Sequence, residues 1–428
     1  MNQALSKRLL FLVNTLEGQV LSLLCIMLFS VVYSMEFLTS QAMFFLAGVT
    51  LFERKTSGRG LQLRKGNRNR LQTFKWNSAH ALLTIPFFLA ILSMAWSSDW
   101  SAGLRWIQLK LPFFVLPMIF MMLPKWNIIF LKRLLQFTLL LLTISCIPVL
   151  VHYLLNVEDI NLLLSQGQHV PVPSNHIRFS MMVSIALLSG IVLIRLDAKT
   201  CTKLWKSVLI ASTVFLFVML HVLSVRTGLL LFYSSALFLI LVQILQGKSK
   251  VVYLGLAVLV VGLPFIAYQT LPSFQSKINY VLWDLGKFKE GRAAQYSDSE
   301  RIISLQAGLQ LFKEAPLIGV GAGDLKPNLK AIYAEQFPNL KMKLPHAQFI
   351  TVAATYGLLG LFLFLAMLIR PIIENRRYRY TGFLGFNLFM YLSMCVESTL
   401  DTNYGITIYL VFLLAAMQVP LGKWTTDN

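Results

Sequence analysis

The chain has 428 residues, 56% hydrophobic and only 13% charged, with a mean hydropathy of +0.66 and a formal charge of +20. A soluble protein of this length could not hide so much apolar surface, so the composition excludes a soluble globular enzyme and defines an integral membrane protein. The positive charge would suit nucleic acid, but its distribution along the chain has another meaning, and nucleic acid is not an expected partner.

In chain order, apolar runs at roughly 16–34, 36–52, 78–96, 105–123, 134–155, 176–194, 207–224, 226–246, 251–270, 347–369, 380–399 and 404–421 predict an all-α protein of about twelve spans. Most are near the ~20 residues that cross a bilayer. Lys7 and Arg8 precede the first run and no small-residue cleavage site follows, which reads as an uncleaved first span. Twelve spans with the N-terminus inside put both termini in the cytoplasm. The loop "ERKTSGRGLQLRKGNRNRLQTFK", with eight Lys or Arg against one Glu, is then cytoplasmic too. On this topology 24 basic residues lie inside, while Arg105, Lys110, Arg178 and Arg226 flank short outer connections. The other ten fall in one long outer loop, 271–345, together with seven acids. The basic balance is mostly a topology signal, with attraction to anionic membrane lipid as an addition. Cys25, Cys146, Cys201 and Cys395 lie far apart and suggest neither a disulfide framework nor a metal site.

One polytopic domain, 1–428, with 271–345 inserted as a large loop between the ninth and tenth spans, is the expected organisation. A loop of that length usually has its own structure and a function. Within it Ser297 and Glu300 fit a helix-starting capping box. Ile302, Leu305, Leu309 and Phe312 follow at helical spacing, predicting a helix of about four turns that lays this stripe against the membrane domain, with Arg301 in its first turn. After Pro316, "LIGVGAGD" holds Gly319, Gly321 and Gly323 before Asp324 and reads as a flexible turn. No lysine follows these glycines, and the topology places them outside, so a nucleotide loop is not expected. A second helical stretch, roughly 325–336, precedes the return to the bilayer.

Charged side chains in or at the edge of spans generally have a reason to be there. Arg226, in "VLSVRTGLLLF", reads either as a guanidinium turned into an outward cavity, offering its fork to a phosphate or carboxylate, or as an arginine snorkelling at a hairpin. Arg178, in "VPSNHIRFSMMV", carries the same two readings. Arg105 and Lys110, beside Trp106, read as interfacial anchors. His346 sits where the long loop meets the tenth span, and its imidazole could take a proton from an acceptor hydroxyl near neutral pH; the alternative is a structural histidine. His169 and His176 make only a weak zinc pair, and His80, His152 and His221 read as structural. Glu397 either orients an arginine or the histidine, or caps the eleventh span ahead of Asp401. External acids are scattered, with no cluster suited to a divalent cation, and there is no GxSxG elbow or Cys/His pair. Arginines would have to balance the charge of any phosphate-bearing substrate.

"SVRTGLLLF", "SERIISLQAGLQLFKEAPLIGVGAGD", "LPHAQFITVAATYGLLGLFLF" and "ESTLDTNYGITIYLVF" resemble, in this order, the motifs of the O-antigen ligase and polymerase superfamily. That pattern is an arginine at a span start, then R…P-l-x-G-x-G, then a histidine ahead of a G-l-x-G helix. The resemblance covers about residues 220–415; one departure is Ala347, where asparagine is common. It implies a metal-independent, inverting, membrane-embedded glycosyltransferase of the C type, without cofactor. The reaction it implies moves a glycan from undecaprenyl diphosphate onto a hydroxyl, often of a lipid A core sugar, at the periplasmic face of a bacterial inner membrane. Arg226 and Arg301, with Arg178 as a third contact, would hold the donor diphosphate, and His346 would be the general base. A glycan polymerase and a protein O-oligosaccharyltransferase share this donor chemistry. A secondary transporter is the rival from another class, although transporters tend to place ionisable residues near the midplane and to show repeated halves.

Overall fold

The computed structural model describes residues 12 and 14–420, apart from 56–59, 65, 68–69, 71–74, 197–201, 248 and 290–296. Lys7, Arg8, Cys201 and much of the basic 53–75 loop therefore lie outside the described residues. The helices in chain order are α1 (Leu16–Val32), α2 (Glu36–Leu51), α3 (Ala79–Leu82), α4 (Ile85–Leu92), α5 (Trp100–Lys110) and α6 (Pro112–Met122). Then come α7 (Ile128–Leu155), α8 (Val157–Ser165), α9 (His176–Leu196), α10 (Lys203–Leu223), α11 (Arg226–Leu245) and α12 (Lys250–Thr270). The loop helices α13 (Pro272–Lys289), α14 (Ser297–Glu314) and α15 (Leu325–Gln336) precede α16 (Gln348–Ile373), α17 (Thr381–Val396) and α18 (Asn403–Gln418).

Among the described residues eight segments are helical, long and apolar enough to cross a membrane: Ala79–Trp96, Trp100–Met122, α7, α9, α10, α11, α12 and Gln348–Arg379. The other four apolar runs fall on the shorter helices α1, α2, α17 and α18, of 16 or 17 residues. The helical expectation has one exception. Phe52–Arg54 and Leu61–Leu63 pair antiparallel in the basic loop, with Glu53 opposite Gln62.

A helix apolar on every face belongs in an interior. α18 meets this description, and every residue from Gly405 to Gln418 is buried. α9 packs on α7, α10 and α11. At the other extreme, α12 packs on α11 and α13, and only Ala267 of it is buried.

The long loop forms three helices, and α14 packs on α16 as expected, but through a different face. The buried residues are Ile303, Ser304, Ala307, Gly308 and Leu311, whereas Leu309 is 43% exposed and Ile302, Leu305 and Phe312 are half-buried. The predicted stripe is therefore rotated off the contact. The packed face combines Ile303 and Leu311 with the small residues Ser304, Ala307 and Gly308. At Gly308 a side chain would collide with Pro345 and Ile350. Glu300 pairs with Lys343, while the side chain of Ser297, the other half of the predicted capping box, lies outside the described part.

The glycine turn is also not what its composition suggests. α16 breaks at Gly357, whose φ is +66°, and the turn docks into the break. The amides of Val320 and Gly321 donate to the carbonyls of Ala354 and Thr355 at 3.0 and 2.9 Å. In return Leu358 and Leu359 donate to Pro316 and Leu317 at 2.9 and 3.3 Å. Gly319, at φ +70°, faces the Thr355–Tyr356 peptide, and Gly357 faces the Leu317–Ile318 peptide, so a Cβ at either position would strike backbone. Ala322 and Gly323 donate to Ser93 and Ser97, and the Asp324 carboxylate accepts from the amides of Ser98 and Asp99 at 2.8 and 2.9 Å. Instead of a flexible turn, this is a buried seam, fixed on both sides by backbone hydrogen bonds.

Candidate active site

The seam fixes the end of α14 against α16, and Arg301 projects from the start of α14. His346 lies between the loop and α16; its amide donates to Ser304 Oγ at 3.1 Å, and Ser304 Oγ donates to the Arg301 carbonyl at 2.7 Å. One hydroxyl therefore ties the backbones of both residues. Glu397 follows α17 and is 4% exposed. Its Oε1 accepts from Arg301 Nη2 at 2.7 Å, and its Oε2 lies 3.1 Å from His346 Nδ1. Glu397 thus pairs with both an arginine and the histidine through its side chain, while its backbone caps α17, the amide donating to the Ser393 carbonyl at 2.9 Å. Because the carboxylate engages Nδ1, Nε2 is the ring nitrogen left to accept a proton from elsewhere.

A second buried carboxylate holds the segment that carries Glu397. Asp401 Oδ1 accepts from Lys110 Nζ at 2.6 Å, and its Oδ2 accepts from Gln348 Nε2 at 2.9 Å. Lys110 Nζ also donates to the Leu400 carbonyl at 2.6 Å, and the Leu400 amide donates to Gln348 Oε1 at 2.7 Å. Lys110 is only 4% exposed, so it is a buried ion-pair partner rather than an interfacial anchor. The same correction applies to Trp106, buried with Nε1 donating to Tyr356 Oη at 2.9 Å. Arg105, by contrast, is exposed and bonds Ser101.

Beside Arg301 opens a polar cavity of about 440 Å³, lined by Arg226, Arg301, Lys277, His169 and His176 together with the backbone around Ser224. Ser224 takes a left-handed conformation (φ 52°) that ends α10, so Arg226 starts α11 at the cavity wall. Lys277, on α13, donates to the carbonyls of Gly167 and Gln168, both at 2.8 Å. The His169 and His176 rings stack with centroids 3.8 Å apart. Burial, then the Lys277 charge, push His169 below its ordinary value, so it is neutral at neutral pH. The permanent charges lining the cavity are cationic, an arrangement suited to a polyanion.

The structure brings Arg226, Arg301, His346 and Glu397 together. Arg178 does not line the cavity: it is buried, with Nε donating to Thr402 Oγ1 at 3.4 Å. Sequence reasoning missed Lys277, which has no motif around it and gains meaning only where α13 folds back over the 166–168 turn. His221 is structural as expected, held by the Phe217 carbonyl and Tyr233 Oη. Among the described residues no group of three or more His, Cys, Asp or Glu is placed to hold a metal ion.

Residues 211–365 match the family model described as O-antigen ligase. The match contains Arg226, Arg301 and His346; Glu397 reaches the site from outside it. The match supports a membrane glycosyltransferase-like function with a lipid-linked glycan and an acceptor as partners. No curated protein matches the chain.

Proposed function

We propose that the protein transfers a glycan from undecaprenyl diphosphate to a hydroxyl acceptor, a lipid A core sugar being the acceptor favoured by the arrangement of the motifs. The reaction takes place at the periplasmic face of a bacterial inner membrane, in a twelve-span chain with both termini cytoplasmic. The observation that carries this reading is Glu397, which bonds Arg301 through one oxygen and His346 through the other, next to the cavity that Arg226 and Arg301 line.

In this mechanism the donor diphosphate occupies the cavity between Arg226 and Arg301. His346 Nε2 takes the proton of the acceptor hydroxyl, whose oxygen attacks the anomeric carbon from the face opposite the diphosphate. The bond from that carbon to the diphosphate oxygen breaks, and configuration inverts. The charge that develops on the departing lipid diphosphate is met by guanidiniums already in position, which is where electrostatic catalysis is strongest. The imidazolium that forms is stabilised by Glu397, as in other base–carboxylate pairs.

The test is reconstitution of the full chain with a lipid-diphosphate glycan and separate acceptors: lipid A core, a second lipid-linked repeat, and a serine-containing protein. Glycan on lipid A core is the expected product. Product on the second repeat or the protein would convert the assignment to polymerase or protein oligosaccharyltransferase, and no turnover with any acceptor would favour transport. Transfer is expected to survive excess EDTA; loss restored only by Mg²⁺ or Mn²⁺ would overturn the guanidinium mechanism.

A further inference from the structure

α17 and α18 run away from the site, and their far ends meet the segment 374–379. There Asn375 and Arg376 adopt left-handed backbone, at φ 53° and 58°, and Arg377 turns inward. Arg377 is 5% exposed. Its Nη2 donates to the Met417 carbonyl at 3.3 Å, but Nε and Nη1 have no hydrogen-bond partner. The charged groups around it are Lys125, Arg370 and Glu374, with His80 beside them. Lys125 donates to the Met417 carbonyl and Gln418 Oε1, both at 2.9 Å. The one carboxylate, Glu374, accepts from the Ala79 amide and stands 3.9 Å from Arg370 Nε, which also lacks a hydrogen-bond partner, as does His80 Nε2. Three cations thus share one carboxylate among the described residues, and buried guanidinium N–H groups have no hydrogen-bond acceptor. Unsatisfied buried donors of this kind are rare and expensive, and they call for an anion.

Next to this cluster lies an apolar cavity of about 770 Å³ between α7, α9, α11, α17 and α18. Leucines, isoleucine and phenylalanines line it, with Ser189 the polar side chain among them. Phe383 is part of its wall, and the Arg377 guanidinium sits 6.0 Å from the centre of that ring. Leu131 and Leu196 also line it, and Lys132 Nζ donates to the Leu196 carbonyl at 3.3 Å. Gly382 lines it too, and a side chain there would meet nothing within 4 Å, so the wall is open at that point.

We infer that this end of the bundle is a binding site for an anionic phospholipid, with an acyl chain in the apolar cavity and the phosphate against Arg377 and Lys132. A free phosphate would satisfy the guanidinium alone; the apolar cavity beside it commits the site to a lipid. Basic pockets between helices on the cytoplasmic side are a recognised means of holding such headgroups. The inference is independent of glycan transfer.

The experiment is native mass spectrometry and thermal unfolding of the full-length protein in detergent. It is titrated with phosphatidylglycerol, with phosphatidylcholine of the same chains, and with inorganic phosphate. Phosphatidylglycerol is expected to bind at least about tenfold tighter than phosphatidylcholine, ~1.4 kcal/mol, and to raise the unfolding temperature. Inorganic phosphate should do neither. Arg377→Gln should bring the two lipids to equal affinity, and Gly382→Phe should weaken both by filling the cavity. Equal binding of the two lipids by the unaltered protein would overturn the site, as would an Arg377→Gln protein that keeps the preference. An unfolding shift with phosphate that matches the lipid's would reassign it to a free anion.

Discussion

The two ends of the α17–α18 pair handle buried charge in opposite ways. At the end that carries Glu397, carboxylates and cations are matched: Glu397 with Arg301 and His346, Asp401 with Lys110 and Gln348. At the other end Arg377, Arg370 and Lys125 share Glu374, and three guanidinium nitrogens have no hydrogen-bond partner. A matched buried cluster has finished its chemistry with itself, except where one partner can change its protonation. In the proposed mechanism His346 is that partner, the member of the matched end that takes the acceptor's proton. The unmatched end needs something from outside.

The sharpest way to break this contrast is His346→Ala. Losing a general base lowers rate by about 10²–10⁴-fold, so glycan transfer in the reconstituted assay should fall below detection while the protein still inserts in the membrane. Normal transfer by this variant would remove His346 from the mechanism. Arg301→Ala should lower transfer by ~10²–10³-fold, and Arg301→Lys should not restore it, because a point charge cannot bond Glu397 and a diphosphate as a planar fork does. Lys110→Met tests structure instead: it strands Asp401 in the interior, and breaking one side of such a pair costs about 3–5 kcal/mol, read as a lowered unfolding midpoint. An unchanged midpoint would mean that Gln348 alone satisfies Asp401. The smallest effect concerns His169. Its folded value is depressed, so the unfolded chain binds the extra proton, and stability falls as pH drops below the ordinary 6.5. The unfolding midpoint should therefore decline between about pH 7.5 and about pH 5.5, and His169→Asn should flatten that decline.

Much of the matched end was legible in the sequence, because its residues sit at recognisable places: Arg226 at a helix start, Arg301 in the first turn of a loop helix, His346 just before α16. Glu397 was readable as a partner but not as a bridge, since its two contacts lie 96 and 51 residues away. Lys110 and Trp106 misled for the same reason. Their partners, Asp401 and Tyr356, are 291 and 250 residues distant, and only the fold converts an apparent interfacial pair into interior contacts. The α14 stripe misled differently. Helical periodicity finds an apolar face but not which face a neighbouring helix takes, and α14 packs through Ile303, Ser304, Ala307, Gly308 and Leu311 instead. Nothing local in the sequence marked Arg377, which looks like one more cytoplasmic arginine in "RPIIENRRYR".

The seam between the glycine turn and the broken α16 also has a meaning for biogenesis. Chains are made from the N-terminus, and segments fold as they appear. The loop bearing Arg301 is complete before α16 exists, but it cannot dock until residues 354–359 have emerged to exchange backbone bonds with 316–321. Glu397 comes later still. Until the last two helices are threaded, Arg301 and His346 have no common carboxylate, so a truncated or stalled chain carries the arginine and the histidine without the group that joins them.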